Sequence, residues 1–372
     1  MKPGLLYRFL KVYVLFGFNF FFRRFQIHNQ EKVPLQGPVI FAINHQNAFM
    51  DALVIAVSSK RNPWFITRAS VFASAIARFW LNKLQMLPIY RFRDGHANMK
   101  KNDEAMEHTR QLLRQNETIL IFPEGNHDRH WSLRPLQKGI ARMAFDLEKE
   151  TGFQAGLTIV PVGLQYENHF RSWTDLLVNY GEPIHIRDYQ SLYEKQAAVA
   201  MNTLVADLKI AMQRLIIHID PNENYDQIAQ AVKNRPAREK DLYHRLISDR
   251  SFIEQLDLNQ DQITNQPKTS KKLFCTLGWI LFLPAYIPHF LFVRLIHWLV
   301  KKVVKDDHWS HSIKYAAMIF LAPLFYVAEA LLVWFITYSP LALFIFALLV
   351  PITAFISLSF RAGCLRKKEE VF

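Results

Sequence analysis

The chain has 372 residues, 51% of them hydrophobic, with 30 Phe and two Cys. That is enough for one large domain or two ordinary ones, and two cysteines form neither a disulfide framework nor a zinc signature. The net charge is +13; the basic residues form no stripe and share the chain with long apolar runs, which excludes nucleic acid and favours an anionic membrane or a small anionic substrate.

Residues 1–36 read as an N-terminal membrane anchor. The apolar run after Leu5 is interrupted by Arg8 and Lys11, ends at Arg23-Arg24 and is followed by no small-residue cleavage site. It is short and aromatic for a span, so it is expected to lie in the membrane interface.

From Gly37 the pattern is α/β. Short apolar runs at 39–43, 64–66, 87–90, 118–122 and 158–164 predict strands. Between and after them, 48–58 (capped by Asn47), 71–84, 102–115, 138–151 and 191–219 predict helices. This alternation predicts an α/β domain over 37–219, a mainly parallel sheet flanked by helices.

Residues 220–272 are polar and read as surface helices and a linker. The C-terminal region, 273–372, carries apolar runs at 273–300, 315–338 and 341–360. Basic pairs or clusters flank them: Lys271-Lys272, Lys301-Lys302, and Arg361 with Arg366, Lys367 and Lys368. Positive residues stay on the cytoplasmic side. The first run must then enter and leave on one face, with Pro284 and Pro288 marking the bend of a re-entrant hairpin. The other two form transmembrane helices. The two cysteines, Cys275 and Cys364, are expected to be inert, with Cys364 a candidate for lipidation.

Four stretches carry the chemistry. In Asn44-His45-Gln46-Asn47-Ala48-Phe49-Met50-Asp51, a histidine and an aspartate follow a buried strand. A histidine oriented by a carboxylate makes a general base; the plainer reading is turn hydrogen bonding and a carboxylate at a helix start. Phe122-Pro123-Glu124-Gly125 follows a second buried strand, so it is expected at the same sheet edge, where ligands gather. Arg129, Arg134 and Lys138 downstream suit a phosphate, or are ordinary surface charges. Arg91, after Pro88-Ile89-Tyr90, is a further phosphate candidate. Val160-Pro161-Val162 lines an acyl pocket or is core. The run His127-Asp128-Arg129-His130 has an arginine in its middle, which argues against a metal site.

In order and separation these stretches resemble the glycerophospholipid acyltransferase family, whose best-known members are the 1-acylglycerol-3-phosphate acyltransferases. The resemblance covers roughly residues 37–183. It implies that His45 and Asp51 are catalytic, and that Arg91, Glu124, Gly125, Arg129, Arg134 and Lys138 position the acceptor phosphate. Asn44, Pro123, Val160 and Pro161 would support the motifs or the acyl pocket. The family has four residues between His and Asp and Thr-Arg after Glu-Gly; here there are five, and Asn126-His127. The five-residue spacing resembles a subgroup with glycerol-3-phosphate and dihydroxyacetone-phosphate acyltransferases. The extra residue must be absorbed where the turn meets the helix.

The implied reaction moves an acyl chain from acyl-CoA or acyl-carrier protein to the hydroxyl of a lysophospholipid, first of all 1-acylglycerol 3-phosphate, or of glycerol phosphate. No cofactor and no metal are expected. The expected location is a membrane, the bacterial inner membrane first, with the active site facing the cytoplasm. The competing class is an inactive membrane-anchored lipid-binding protein; a transporter would need more spans and more charges within them.

Overall fold

A computed structural model of the chain describes residues 4–89, 99–235, 239–256, 272–303 and 309–364. Contacts divide it into two units. The first is built from Met1–Leu15, Phe25–Tyr166 and Leu176–Gln260; the second from Phe16–Arg24, Glu167–Asp175 and Asp261–Phe372.

The chain opens with α1 (Leu5–Phe21) and β1 (Arg24–His28), followed by β2 (Val39–Ile43), α2 (Phe49–Ser58), β3 (Trp64–Arg68), α3 (Ala75–Lys83) and β4 (Met86–Ile89). Next come α4 (Met99–Arg114), β5 (Thr118–Ile121), α5 (Gly139–Glu150), β6 (Thr158–Tyr166), β7 (Asp175–Tyr180) and β8 (Ile184–His185). The rest is helical: α6 (Gln190–Gln213), α7 (Tyr225–Asn234), α8 (Leu242–Glu254), α9 (Lys272–Val303), α10 (Ser310–Thr337) and α11 (Pro340–Cys364).

The strands form one sheet in the order β1-β7-β6-β2-β5-β3-β4, with β8 also on β6. Its centre is parallel, as expected: β2 pairs with both β5 and β6, and β3 with β4 and β5. Strands buried on both faces read as continuous apolar runs, which is why these were legible. The edge is not parallel. Both β7 and β8 run antiparallel to β6, and β1 joins the sheet ahead of residue 37, where the α/β pattern was read to start.

Side chains of Ile40, Ala42, Ile119 and Ile159 form one core face with Ala144, Phe145 and Leu147 of α5 and Leu204 and Leu208 of α6. A smaller cluster joins Trp131, Ile217 and Ile219 to Val232 of α7 and Leu246 of α8. The polar stretch after residue 220 therefore supplies core to the first unit, beyond a linker role. At Gly163 a Cβ would lie 2.6 Å from the Leu215 carbonyl oxygen, so glycine alone permits that approach.

Several boundaries differ from the expected ones. The first helix begins at Phe49, with Ala48 rather than Asn47 at its cap. The run at 71–84 divides: a 3₁₀ turn at Ala69–Phe72 precedes α3, which Ser74 caps by accepting from the Ala77 N–H at 3.0 Å. The helix predicted over 191–219 stops at Gln213 and is kinked at Gln196.

In the second unit, α9, α10 and α11 are each long and apolar enough to cross a membrane. Pro284 and Pro288 lie inside α9. His289 ties the three helices together, Nδ1 lying 2.7 Å from the Tyr326 hydroxyl and Nε2 3.0 Å from Thr353 Oγ1. Polar bonds of this kind stabilise helix contacts that gain little from the hydrophobic effect in lipid. Arg23 and Arg24 both bond the buried Asp175 carboxylate, and Arg23 also reaches Glu167.

The two cysteines correct the sequence reading. Cys275, at the start of α9, and Cys364, at the end of α11, form a disulfide with Cα atoms 5.5 Å apart. The pairing removes Cys364 as a lipidation site. It was not legible because the partners are 89 residues apart and meet only when the two helix ends are brought together.

Candidate active site

The carboxyl ends of β2 and β5 emerge at the same sheet edge, because Val39 pairs with Thr118 and Ala42 with Ile121. The turn after β2 therefore lies beside the loop after β5. His45 sits on that turn and Asp51 in the first turn of α2.

Asp51 is wholly buried, and four donors converge on it. Its Oδ2 lies 2.9 Å from His45 Nδ1 and accepts the backbone N–H groups of Gln46 at 2.9 Å and Asn47 at 2.8 Å. Its Oδ1 accepts the Tyr166 hydroxyl at 2.7 Å. An acceptor so fully supplied with donors fits an ionised carboxylate. It fixes the imidazole with Nδ1–H toward Asp51 and leaves Nε2 as the basic nitrogen. Tyr166 stays protonated, its hydroxyl pushed well above the usual tyrosine range by burial and by the Asp51 charge.

The extra residue between His45 and Asp51 is absorbed at Ala48, whose φ of 45° and ψ of −126° are unusual for a residue with a side chain. Such backbone costs on the order of 1–3 kcal/mol and persists only where the surroundings hold it. Here the two backbone bonds to Asp51 and the burial of Gln46, Asn47 and Ala48 hold it. The turn thus bulges just before α2 and still delivers Asp51 to His45.

The imidazole is clamped from its faces as well. Phe122 stacks on it, centroids 3.9 Å apart and planes at 15°, and His127 meets it edge-on at 5.4 Å. Behind the turn, Asn44 exchanges two hydrogen bonds with the backbone of Leu164 at 3.1 and 2.7 Å. The asparagine side chain replaces ladder bonds where β2 and β6 part, which anchors the turn.

Glu124 bridges the two loops. Its Oε1 accepts the His45 N–H at 2.7 Å and its Oε2 the Arg134 N–H at 3.0 Å. Burial pushes this carboxyl up to about 7, although both backbone bonds favour its charged form. Further ties run from the Asp128 N–H to the His45 carbonyl at 2.9 Å and from Gln46 Nε2 to the His130 carbonyl at 3.0 Å. Gly125 has a φ of 72° and lets the chain turn straight after Glu124.

The sequence-predicted residues separate into groups. His45, Asp51, Asn44, Glu124 and Gly125 converge at the sheet edge. Pro123 is buried behind them, its carbonyl accepting the Gln137 N–H at 2.8 Å. Arg129 and Arg134 are half-buried on the loop beside Glu124, and Lys138 is exposed at the start of α5. Val160 and Pro161 lie within β6, opposite Phe41 and Ala42, in the sheet interior. Arg91 lies outside the described residues. Among the described residues no group of three His, Cys, Asp or Glu side chains is arranged to hold a metal. Sequence reasoning missed Tyr166, and it singled out the stretch holding Phe122 and His127 without their packing on His45; the strand-end position of Tyr166, on a strand paired with β2, was the available signal.

The parallel-centred sheet thus carries a carboxylate-held histidine at its carboxyl edge. Residues 24–165 match the family model described as Acyltransferase. Those residues, under half of the chain, are similar to an acyltransferase domain, and the order of the motifs agrees with the glycerophospholipid acyltransferase family. The 1-acyl-sn-glycerol-3-phosphate acyltransferase BAT2, chloroplastic, of Brassica napus is 20% identical over 178 residues, 47% of this chain and 47% of that protein. The chain thus spans about half the length of the curated relative it matches. The crystal structure of the 1-acyl-sn-glycerophosphate (LPA) acyltransferase PlsC from Thermotoga maritima aligns at 16% identity and a TM-score of 0.38, over 55% of this chain and 79% of that one.

Proposed function

We propose that this chain is a membrane-bound O-acyltransferase that moves an acyl chain from acyl-CoA or acyl-carrier protein to the free hydroxyl of 1-acylglycerol 3-phosphate, forming phosphatidic acid. The observation that carries it is the 2.9 Å bond between His45 Nδ1 and the buried Asp51, at the sheet edge shared with Glu124-Gly125. His45 Nε2 takes the proton of the acceptor hydroxyl as that oxygen attacks the thioester carbonyl. The tetrahedral intermediate collapses, the carbon–sulfur bond breaks, and the thiolate leaves with the proton returned by His45. Asp51 orients the imidazole and stabilises its charged form.

Arg129 and Arg134, on the loop that Glu124 ties to the His45 turn, are assigned the acceptor phosphate, with Arg91 assigned by resemblance. Arg91→Ala is expected to raise KM for the phosphate acceptor more than for the acyl donor. Direct attack uses neither a metal nor a cofactor, so a chelator leaves the rate unchanged. Membrane attachment is supported by the three apolar helices and by the exposed stripe Leu5, Phe9, Val12 and Phe16 on α1. The basic flanks favour the cytoplasmic face, whereas the Cys275–Cys364 disulfide beside two of them favours an oxidising one; a bacterial inner membrane is the expected site.

The five-residue spacing favours a second acceptor, glycerol 3-phosphate. One assay separates the readings: membranes containing the full chain, labelled acyl-CoA or labelled acyl-carrier protein, and lysophosphatidic acid, glycerol 3-phosphate or a lysophospholipid without a terminal phosphate. Thiol release and labelled phosphatidic acid only with lysophosphatidic acid support the first reading. Transfer to glycerol 3-phosphate alone replaces it with the second, and no acceptor-dependent release with either donor type sinks both in favour of a lipid-binding protein.

A further inference from the structure

The second unit contains a cavity of about 370 Å³, in the size range of small-ligand sites. Its wall on α9 carries Tyr286, Phe290, Arg294 and Trp298, each four residues after the last, with Lys301 on the adjoining stripe; Arg361 of α11 closes it. Residues four apart on a helix stack on one face, so the lining is one continuous strip, aromatic at its start and cationic toward its end.

Two of the cations lie beside rings. Arg294 lies 5.7 Å from the Phe290 centroid and Arg361 5.8 Å from that of Tyr286. Arg361 is one turn before Cys364, whose disulfide to Cys275 pins the end of α11 to the start of α9. Among the described residues no carboxylate lies within ion-pair distance of Arg294 or Lys301. Arg294 and Lys301 beside an aromatic strip, on a helix of bilayer-spanning length, call for an anion that also has an apolar part. At a bilayer surface that anion is a lipid phosphate. Arginine binds phosphate oxygens in a bidentate fork, lysine adds a point charge, and tryptophan and tyrosine suit the glycerol level of the headgroup region.

We propose that this cavity binds the phosphate and glycerol of an anionic phospholipid, as a site separate from the His45 centre and independent of the reaction assigned to it. The test uses the purified full chain in a mild detergent, with lipid retention read by native mass spectrometry. Dioleoyl phosphatidylglycerol, dioleoyl phosphatidylcholine and inorganic phosphate are the probes. Phosphatidylglycerol is expected to be retained about tenfold better than phosphatidylcholine, and millimolar inorganic phosphate is expected not to displace it.

Arg294→Gln with Lys301→Gln is expected to cut phosphatidylglycerol retention at least fivefold, without moving the melting temperature in detergent alone. Because Arg361 packs on Tyr286, Arg361→Lys serves as the milder variant there and should lose part of the preference. His45→Ala should keep it in full. Equal retention of the two lipids, or full retention in the Arg294/Lys301 variant, overturns the proposal. Displacement by inorganic phosphate at matching concentration overturns the lipid as the source of the phosphate.

Discussion

The strand ends of the first unit and the α9 face of the second handle charge in opposite ways. Around His45 the groups that hold the turn are buried and given fixed partners: Asp51 has four donors, Glu124 two backbone N–H groups, and Asn44 a reciprocal pair. Along α9 Arg294 lies exposed beside the Phe290 ring and Lys301 lies exposed one turn past Trp298, each without a carboxylate partner among the described residues. Full satisfaction fixes atoms to fractions of an ångström, which proton transfer demands. Unpaired cations over rings suit a ligand that arrives with its own negative charge. On the proposed readings, the first region does chemistry and the second holds a ligand.

The contrast breaks most sharply at His45. His45→Ala is expected to lower kcat/KM for acyl transfer at least about 100-fold, the usual scale of a lost general base, with an unchanged melting temperature. Asp51→Ala is expected to match it in rate and to lose stability as well, because the Gln46 and Asn47 N–H groups lose their acceptor. A His45→Ala enzyme that keeps more than a few per cent of its activity removes the base assignment.

Next in size is Tyr166→Phe. It strips one hydrogen bond from a buried carboxylate, worth about 1.5–3 kcal/mol, and should slow transfer by roughly tenfold or more. An unchanged rate would leave Tyr166 a packing residue.

Glu124 gives a smaller effect with a definite sign. Its folded value of about 7 lies above the free value of 4.5. Between those values the folded chain holds a proton that the unfolded chain releases. Its contribution to stability is full below about pH 4.5 and is lost as the pH rises through about 7, by at most about 3 kcal/mol. The melting temperature of the first unit should therefore fall by several degrees from pH 5 to pH 8. Glu124→Gln should flatten that slope while costing one of the two backbone bonds, since the amide places a donor against an N–H. An identical slope in the variant refutes the assignment of the titration to Glu124.

Much of this was legible in the sequence, for physical reasons. Strands β2, β5 and β6 show because burial on both faces demands unbroken apolar runs, and the motif residues show because each follows such a strand. The edge strands did not show. Asp175 and Asn179 interrupt β7, and Gln165 ended the reading of β6 before Tyr166. The Asp51–Tyr166 bond spans 115 residues, so no local pattern announces it. Glu124 was placed with the phosphate residues, yet both its oxygens accept backbone N–H groups, which makes it a strut between loops. Pattern shows which strand end a residue leaves; it does not show where its side chain turns.

The disulfide gives the smallest expected effect on chemistry and sharpens the contrast last. Cys275 and Cys364 join only elements of the second unit. Alkylation of the unreduced, denatured chain should find no reactive thiol, and reduction should expose two. Cys275→Ser should leave acyl transfer within about twofold, since none of the bonds around His45 depends on it. The same variant should weaken retention of phosphatidylglycerol, because Arg361 sits one turn before Cys364 and loses its fixed place over Tyr286. Free thiols in the unreduced chain would remove the staple. A collapse of acyl transfer in the serine variant would show that the two regions are coupled and that their separation in kind is not a separation in function.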